Sequence, residues 1–340
     1  MKWIRCSEDT VKLISLLIAL LTVFFISFMV GRYPIAPDTA LGILAAKIMH
    51  ITPFWTPNTE IILFKIRLPR IIAAMLVGAA LSAAGAAYQG MFRNPMVSPD
   101  ILGVTAGASF GAAIAILLSW SAFGIQLSAY VFGLIAVLLT YGIATWLGKR
   151  GDTVLMMILA GIIIGMLFAS FVSLTKFVAD PENTLPAITY WLLGSLASAS
   201  GESVYITAIP ILLGLMLLLA LRWNLNVISF GDEEAKALGV NVTRLRFFVI
   251  LAATLITSAA VSISGIISMV GLVVPHLSRM IVGPNNKILL PASVVMGAIF
   301  LLLVDDFART LFSVEVPLGI LTSIIGAPFF IYLLYKTRKG

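Results

Sequence analysis

Apolar residues run through this chain in long blocks, each closed by a polar or glycine- and proline-rich break, and that spacing predicts ten membrane-crossing helices. The blocks cover approximately 13–31, 68–91, 99–120, 127–147, 153–175, 203–222, 245–264, 274–283, 289–311 and 319–335. A full crossing needs about 20 residues. The eighth block is shorter and follows a broken segment, Gly265 to Pro275, that carries Gly265, Gly271 and Pro275. The first block, Leu13 to Val30, lacks a small-x-small cleavage site, so it predicts a retained anchor and not a signal peptide. The expected fold class is all-α and polytopic, a single transmembrane domain over 1–340. No soluble domain fits, because no stretch longer than about 35 residues lacks a strong apolar run.

Composition sharpens this. Of the 340 residues 60% are apolar and only 11% charged, and the mean hydropathy is +1.08. A soluble domain carries about 25% charged residues, so the outer surface of this chain faces a lipid bilayer. The net charge of +7 does not point to nucleic acid, since no basic run is interleaved with aromatics. Of the 22 Lys and Arg, about 15 fall on one set of span ends and about 7 on the other. Lys2, Arg5, Lys12, Arg93, Lys149, Arg150, Arg222, Lys236, Arg338 and Lys339 belong to the richer side. That bias predicts both termini in the cytoplasm.

Cys6 stands alone, which excludes an intramolecular disulfide and a multi-cysteine metal site. His50 and His276 are not a ligand pair at metal spacing, so no metal site is expected. The stretch GIATWLGKR (142–150) has one residue too many for a P-loop and Arg where Ser or Thr belongs. No nucleophile elbow or paired-carboxylate site exists either, so no catalytic residue is expected and the chain itself is not expected to do covalent chemistry.

Several segments carry candidate chemistry. Lys65, Arg67 and Arg70 cluster in KIRLPR on the basic-poor side, with Arg309 near the same end of the ninth block. Two readings stand: snorkelling to headgroups, or a cationic docking ring for an acidic partner. Asp305 and Arg309 are four apart and can pair within one turn, whereas Asp306 points elsewhere. The loop RNPMVSPDILG (93–103) has two prolines that forbid a continuous helix. It suits a constriction, with Asn94 supplying polar atoms and Met96 bulk, or an ordinary turn. Gly103, Gly107 and Gly111 recur every four residues, which places them on one side of a packed helix. The least apolar long segment, 224–246, contains Gly231, then Asp232, Glu233 and Glu234 at the positive end of a short helix, with Gly239 ending it. Ala235 and Leu238 fall on one face. This segment, about 229–243, is either a docking element for a soluble partner or a mere loop helix. A weak internal echo joins ALSAAGAA (80–87) to AAVSISG (259–265), each before a proline-rich turn, as inverted copies would give.

At this point the chain resembles the FecCD family of permeases, which includes vitamin B12, haem and ferric-siderophore importers. The segments that carry the resemblance run from RLPR (67–70) through 78–112, WLLGSL (191–196), GDEEAKALGV (231–240), 265–283 and VDDFAR (304–309) to 315–334. The resemblance implies a ten-span permease subunit of a type II ATP-binding-cassette importer. It implies a second permease subunit, normally in a homodimer, two cytoplasmic ATPase subunits that use ATP and magnesium, and an extracytoplasmic substrate-binding protein. This chain itself would bind no cofactor. By resemblance, Arg67, Arg70 and Arg309 meet acidic residues of the binding protein. Asn94, Pro95 and Met96, with Thr153 to Leu155 before the fifth span, form a cytoplasmic gate. Gly231, Glu233, Glu234, Ala235, Leu238 and Gly239 belong to the helix that couples to the ATPase. The implied cargo is an iron–siderophore or similar metal chelate, with haem, cobalamin or molybdate as alternatives. An ion-coupled secondary transporter is the reading from a different class. Met96 stands where Leu is commoner in the family, Met269 where Phe is usual, and Asp306 is an added acid.

Overall fold

The computed structural model describes residues 2–47, 52–148, 153–312 and 314–337, with the side chains of 2–7, 153, 333, 334, 336 and 337 outside that description. Lys149, Arg150, Arg338, Lys339 and His50, used above, lie outside the described residues.

Fourteen α-helices are found among the described residues, and no strand. They are α1 (Lys2–Ser27), α2 (Pro37–Ala45), α3 (Pro57–Ile61), α4 (Leu68–Met91), α5 (Val104–Leu117), α6 (Ala122–Leu147), α7 (Thr153–Val178), α8 (Thr184–Leu193), α9 (Gly201–Ile228), α10 (Asp232–Ala237), α11 (Val242–Ser264), α12 (Val270–Val282), α13 (Asn286–Thr310) and α14 (Leu318–Thr337). Seven spans are long and apolar enough to cross a bilayer, and the shorter α5, α12 and α14 complete the ten expected from the sequence.

The bundle is built around α4 and α11, whose most apolar windows are 83% and 78% buried, against 11% for α1. Lipid gives helices no hydrophobic reason to associate, so close approach depends on small residues. The alanine- and glycine-rich α4 supplies them. A Cβ on Gly78 would lie 2.1 Å from the Gly297 carbonyl oxygen of α13, and one on Gly297 would lie 2.2 Å from that of Gly78. A Cβ on Gly85 would lie 1.8 Å from the Gly271 carbonyl of α12. That carbonyl is four residues before Pro275, which has no N–H to give it. The expected break therefore does not extend to Pro275. Met269 takes a left-handed conformation at φ 67° and α12 starts at Val270, carrying Pro275 inside it. Gly85 of α4 packs directly against the carbonyl that Pro275 leaves without a helical donor.

Other boundaries moved for physical reasons. The second span is continuous from Pro57 to Met91, because the heads of Arg67 and Arg70 turn into the protein, to backbone carbonyls and to carboxylates, and do not end the helix. Its backbone widens to a π-turn over Ile62–Arg67, immediately before Pro69, where a regular helix would drive the proline ring into a carbonyl. Gly103 is left-handed at φ 81° and precedes α5. It faces Gly161 and Gly165 of α7, whereas Gly107 and Gly111 face α6, so the three do not share one neighbour. The helix α8 was not anticipated: ten residues are too few to span and match no full-length block.

Candidate functional site

Three places gather the sequence candidates. At one end of the bundle, α1, the π-turn, α4, α13 and the α13–α14 loop are tied together by charge. Arg70 donates through Nη2 to Asp305 at 2.7 Å and through Nη1 to Glu315 at 3.1 Å. Arg309 meets Asp305 at 3.1 Å and also pairs with Asp306. Ser27 Oγ donates to the other oxygen of Asp306 at 2.6 Å. Asp306 thus does not point away from this cluster; both carboxylates converge on Arg309. Arg67 donates to the carbonyls of Phe28 and Tyr33, and Arg309 to that of Val30 at 3.2 Å. These bonds hold the carbonyls of the segment just after α1, which ends at Ser27 and not at 31.

The three arginines are 4%, 8% and 7% exposed (Arg67, Arg70, Arg309). Snorkelling does not describe Arg67 or Arg70, whose heads turn into the protein, while Lys65 stays exposed. All three guanidinium groups line one hollow of about 270 Å³, together with Gly31, exposed Arg32 and Glu315. The cluster holds three cations and three carboxylates, so its charge is balanced within the subunit.

The opposite end carries the other candidates. The Asn94 side chain accepts from the Met96 N–H at 2.9 Å, closing a tight turn, and Met96 is half exposed. Buried Gln89 supports that turn. Its Nε2 donates to Val97 O at 3.5 Å and Leu272 O at 3.3 Å, and its Oε1 accepts from Arg279 at 3.1 Å. Gln89 therefore ties the turn to α12, a role the sequence reading missed. Leu155 is exposed in the first turn of α7. It lies six residues, about 9 Å along the axis, before Gly161, which packs on Ile101. The side chain of Thr153 is outside the described residues.

At the same end, Asn226 of α9 donates to Asn285 at 2.7 Å and accepts from the Asn286 N–H, and Asn286 lies against Gly90. Helix α10 follows directly. Gly231 has φ 133°, open to glycine alone, and any Cβ there would strike the Glu234 carboxylate. Gly239, at φ 80°, ends the segment. Ala235 is fully buried, whereas Leu238 is 64% exposed. The two do not share a face, because Leu238 caps the helix at φ −83°, ψ 9° and turns outward. Asp232 pairs with Arg246 of α11 at 2.9 Å. Glu233 bonds Lys236 at 2.8 Å and thereby holds its ammonium above the ordinary lysine range. The result is a pinned knob that presents Phe230, Glu233 and Leu238 to the outside.

Between the ends, three breaks meet. Ser195 N–H donates to Ser264 O, and Leu318 N–H to Gly194 O, each at 2.8 Å. A Cβ on Gly319 would strike the carbonyls of Ile266 and Leu193. Non-helical backbone at membrane depth survives only inside protein or beside a water-filled cavity. The breaks here are held within the protein, and an open cavity of about 440 Å³ borders Ile266 and Ser268.

Residues 18–336 match the model of the FecCD transport family. The molybdate import permease MolB of Haemophilus influenzae is 41% identical over 328 residues, covering 96% of each chain. The cobalamin import permease BtuC of Halobacterium salinarum is 40% identical over 295 residues, 85% of this chain and 78% of that one. A solved structure described as an inward-facing conformation of a metal-chelate type ABC transporter superposes with a TM-score of 0.85 at 40% identity, over 95% of this chain and 98% of the other. A breaker-interrupted bundle of ten spans, matched along nearly its whole length, thus belongs to the FecCD transport family and is a permease of ATP-binding-cassette importers.

Proposed function

We propose that this chain forms, with a second copy of itself, the passage of an importer for an iron–siderophore or similar metal chelate in the cytoplasmic membrane of a prokaryote. Two cytoplasmic ATPases seat on α10 and supply the energy from ATP and magnesium. An extracytoplasmic binding protein docks at the arginine end, an acidic group of it entering the hollow walled by Arg67, Arg70 and Arg309. The turn of Asn94, Pro95 and Met96, with the start of α7 at Thr153 to Leu155, is the cytoplasmic gate. Both termini lie on the cytoplasmic side, in line with the basic-residue bias.

The observation that carries the reading is the α10 knob. Gly231, Ala235 and the Asp232–Arg246 pair anchor it to α9 and α11. Exposed Phe230 and Leu238 are left for a partner, and Glu233 and Glu234 beside them give it a charged rim. A short rigid element of this kind transmits a push into two long helices. Ion coupling through Asp305 or Asp306 finds less support, because both are engaged by arginines.

The test is Leu238→Asp in the assembled importer. An exposed substitution of this type changes folding stability by no more than about 0.5 kcal/mol. Recovery of the ATPase with the permease, and ATP-driven uptake of a ferric chelate, should both fall at least about tenfold, the loss of a 1.4 kcal/mol contact. Unchanged recovery of the ATPase would refute the seat. Uphill uptake by the chain without any ATPase would replace the reading with a secondary transporter.

A further inference from the structure

The cavity at the three breaks has a feature that the gate and the coupling helix do not use. Its wall combines Thr105, Ala106 and Ser109 of α5, Gly165 and Ala169 of α7, and Ser268 of the segment before α12. Asp100 is the one charged residue in that lining among the described residues, and no Lys or Arg faces it there. It sits in the single 3₁₀ turn Pro99–Leu102, with its side chain exposed to the cavity. Thr105 Oγ1 donates to its Oδ1. Among the described residues no hydrogen bond or ion pair engages its Oδ2. This differs from Asp305 and Asp306, whose carboxylates are neutralised by arginines.

We propose that Asp100 sets the charge selectivity of the passage, favouring cargo without net negative charge, such as a neutral or cationic metal chelate, over an oxyanion. The proposal rests on the reading of the chain as a passage and names the cargo class that passage accepts. Cavities with low-dielectric walls focus the field of a fixed charge and change local ion concentrations by about 10- to 10³-fold. A carboxylate with a free oxygen in an otherwise uncharged wall repels an oxyanion and offers a counter-charge to a cation. The hydrogen bond from Thr105 fixes where the charge stands.

The experiment reads the field directly and does not depend on transport. In the full chain with Cys6→Ser, Ala169→Cys places an exposed thiol in the same cavity. Its reaction rates with size-matched cationic and anionic methanethiosulfonates are compared, each divided by the rate with a free thiol. The cation-to-anion ratio should exceed about tenfold, fall to near one in Asp100→Asn, which keeps the shape and the bond from Thr105, and return in Asp100→Glu. A ratio unmoved by Asp100→Asn overturns the proposal. Thiols at Ala169→Cys and Ser268→Cys that both resist both reagents also overturn it, because the cavity is then closed to solutes. Failure of the passage reading shows separately, as loss of ATP-driven uptake in the reconstituted importer while the thiol ratio stands.

Discussion

Asp305 is the carboxylate whose loss the fold should feel most. It is completely buried and accepts from Arg70 at 2.7 Å and Arg309 at 3.1 Å. At an effective dielectric constant of about 20, two unit charges 3 Å apart attract by roughly 5.5 kcal/mol, so two such contacts give about 11 kcal/mol before costs. Against this stands the penalty of keeping a carboxylate out of water, several kcal/mol per ion. Asp305→Asn preserves the volume and removes the charge. Arg70 retains Glu315 and Arg309 retains Asp306, but the cluster passes from neutral to a net charge of about +1 in a buried place. Removing one partner from a buried pair costs about 3–5 kcal/mol, and the surviving partners put this case near 3.

For a chain of this size each kcal/mol lowers the unfolding midpoint by about 2 °C, so a fall of roughly 6 °C is expected. Thermal unfolding of the detergent-purified chain, followed by the loss of its monodisperse peak, measures this. Glu315→Gln is the control, because Glu315 is a quarter exposed and meets only Arg70; its midpoint should fall less than half as far. Pairing Asp305→Asn with Arg70→Gln restores neutrality, and the double variant should recover part of the loss, a coupling read by the mutant cycle. A midpoint within 1 °C of the native chain for Asp305→Asn, or an equal loss for Glu315→Gln, would refute the argument.

Two further outcomes follow from packing at the other end and in the centre. Gly85→Ala places a methyl 1.8 Å from a backbone carbonyl of α12, where nothing flexible can yield. It should cost at least the roughly 3 kcal/mol of a severe overpacking and cut the yield of folded protein, whereas Gly142→Ala, with nothing within 4 Å, should gain up to about 1 kcal/mol from helix propensity. Equal behaviour of the two would disprove the close approach. Gln89→Leu removes the link between the Asn94 turn and α12 while keeping much of the volume, and leaves Arg279 without its bond. A cost of about 1–3 kcal/mol is expected from the orphaned buried groups, together with faster amide exchange at Val97 and its neighbours; unchanged exchange would show that the turn holds itself.

The difference between what the sequence discloses and what it hides lies in how far each signal reaches along the chain. Apolar blocks and breakers act locally, so all ten spans and the short α10, with Gly231 and Gly239 at its ends, are legible in order. Pairings between distant residues leave no such trace. Nothing in KIRLPR indicates that Arg70 will meet Asp305, 235 residues away, or that Arg67 will take carbonyls just beyond α1. A cluster of cations read alone looks like surface; only the fold supplies the carboxylates that let it sit inside. The same holds for Pro275, which reads as a break until Gly85 brings α4 against the carbonyl the proline leaves free. Sequence exceptions to the pattern, charge within apolar blocks and proline within helices, therefore mark the points where distant segments complete one another. Asp100 is the exception left over by that rule. It is a charge in an otherwise uncharged wall, its second oxygen meets no partner among the described residues, and for that reason it is the group most available to a solute in transit.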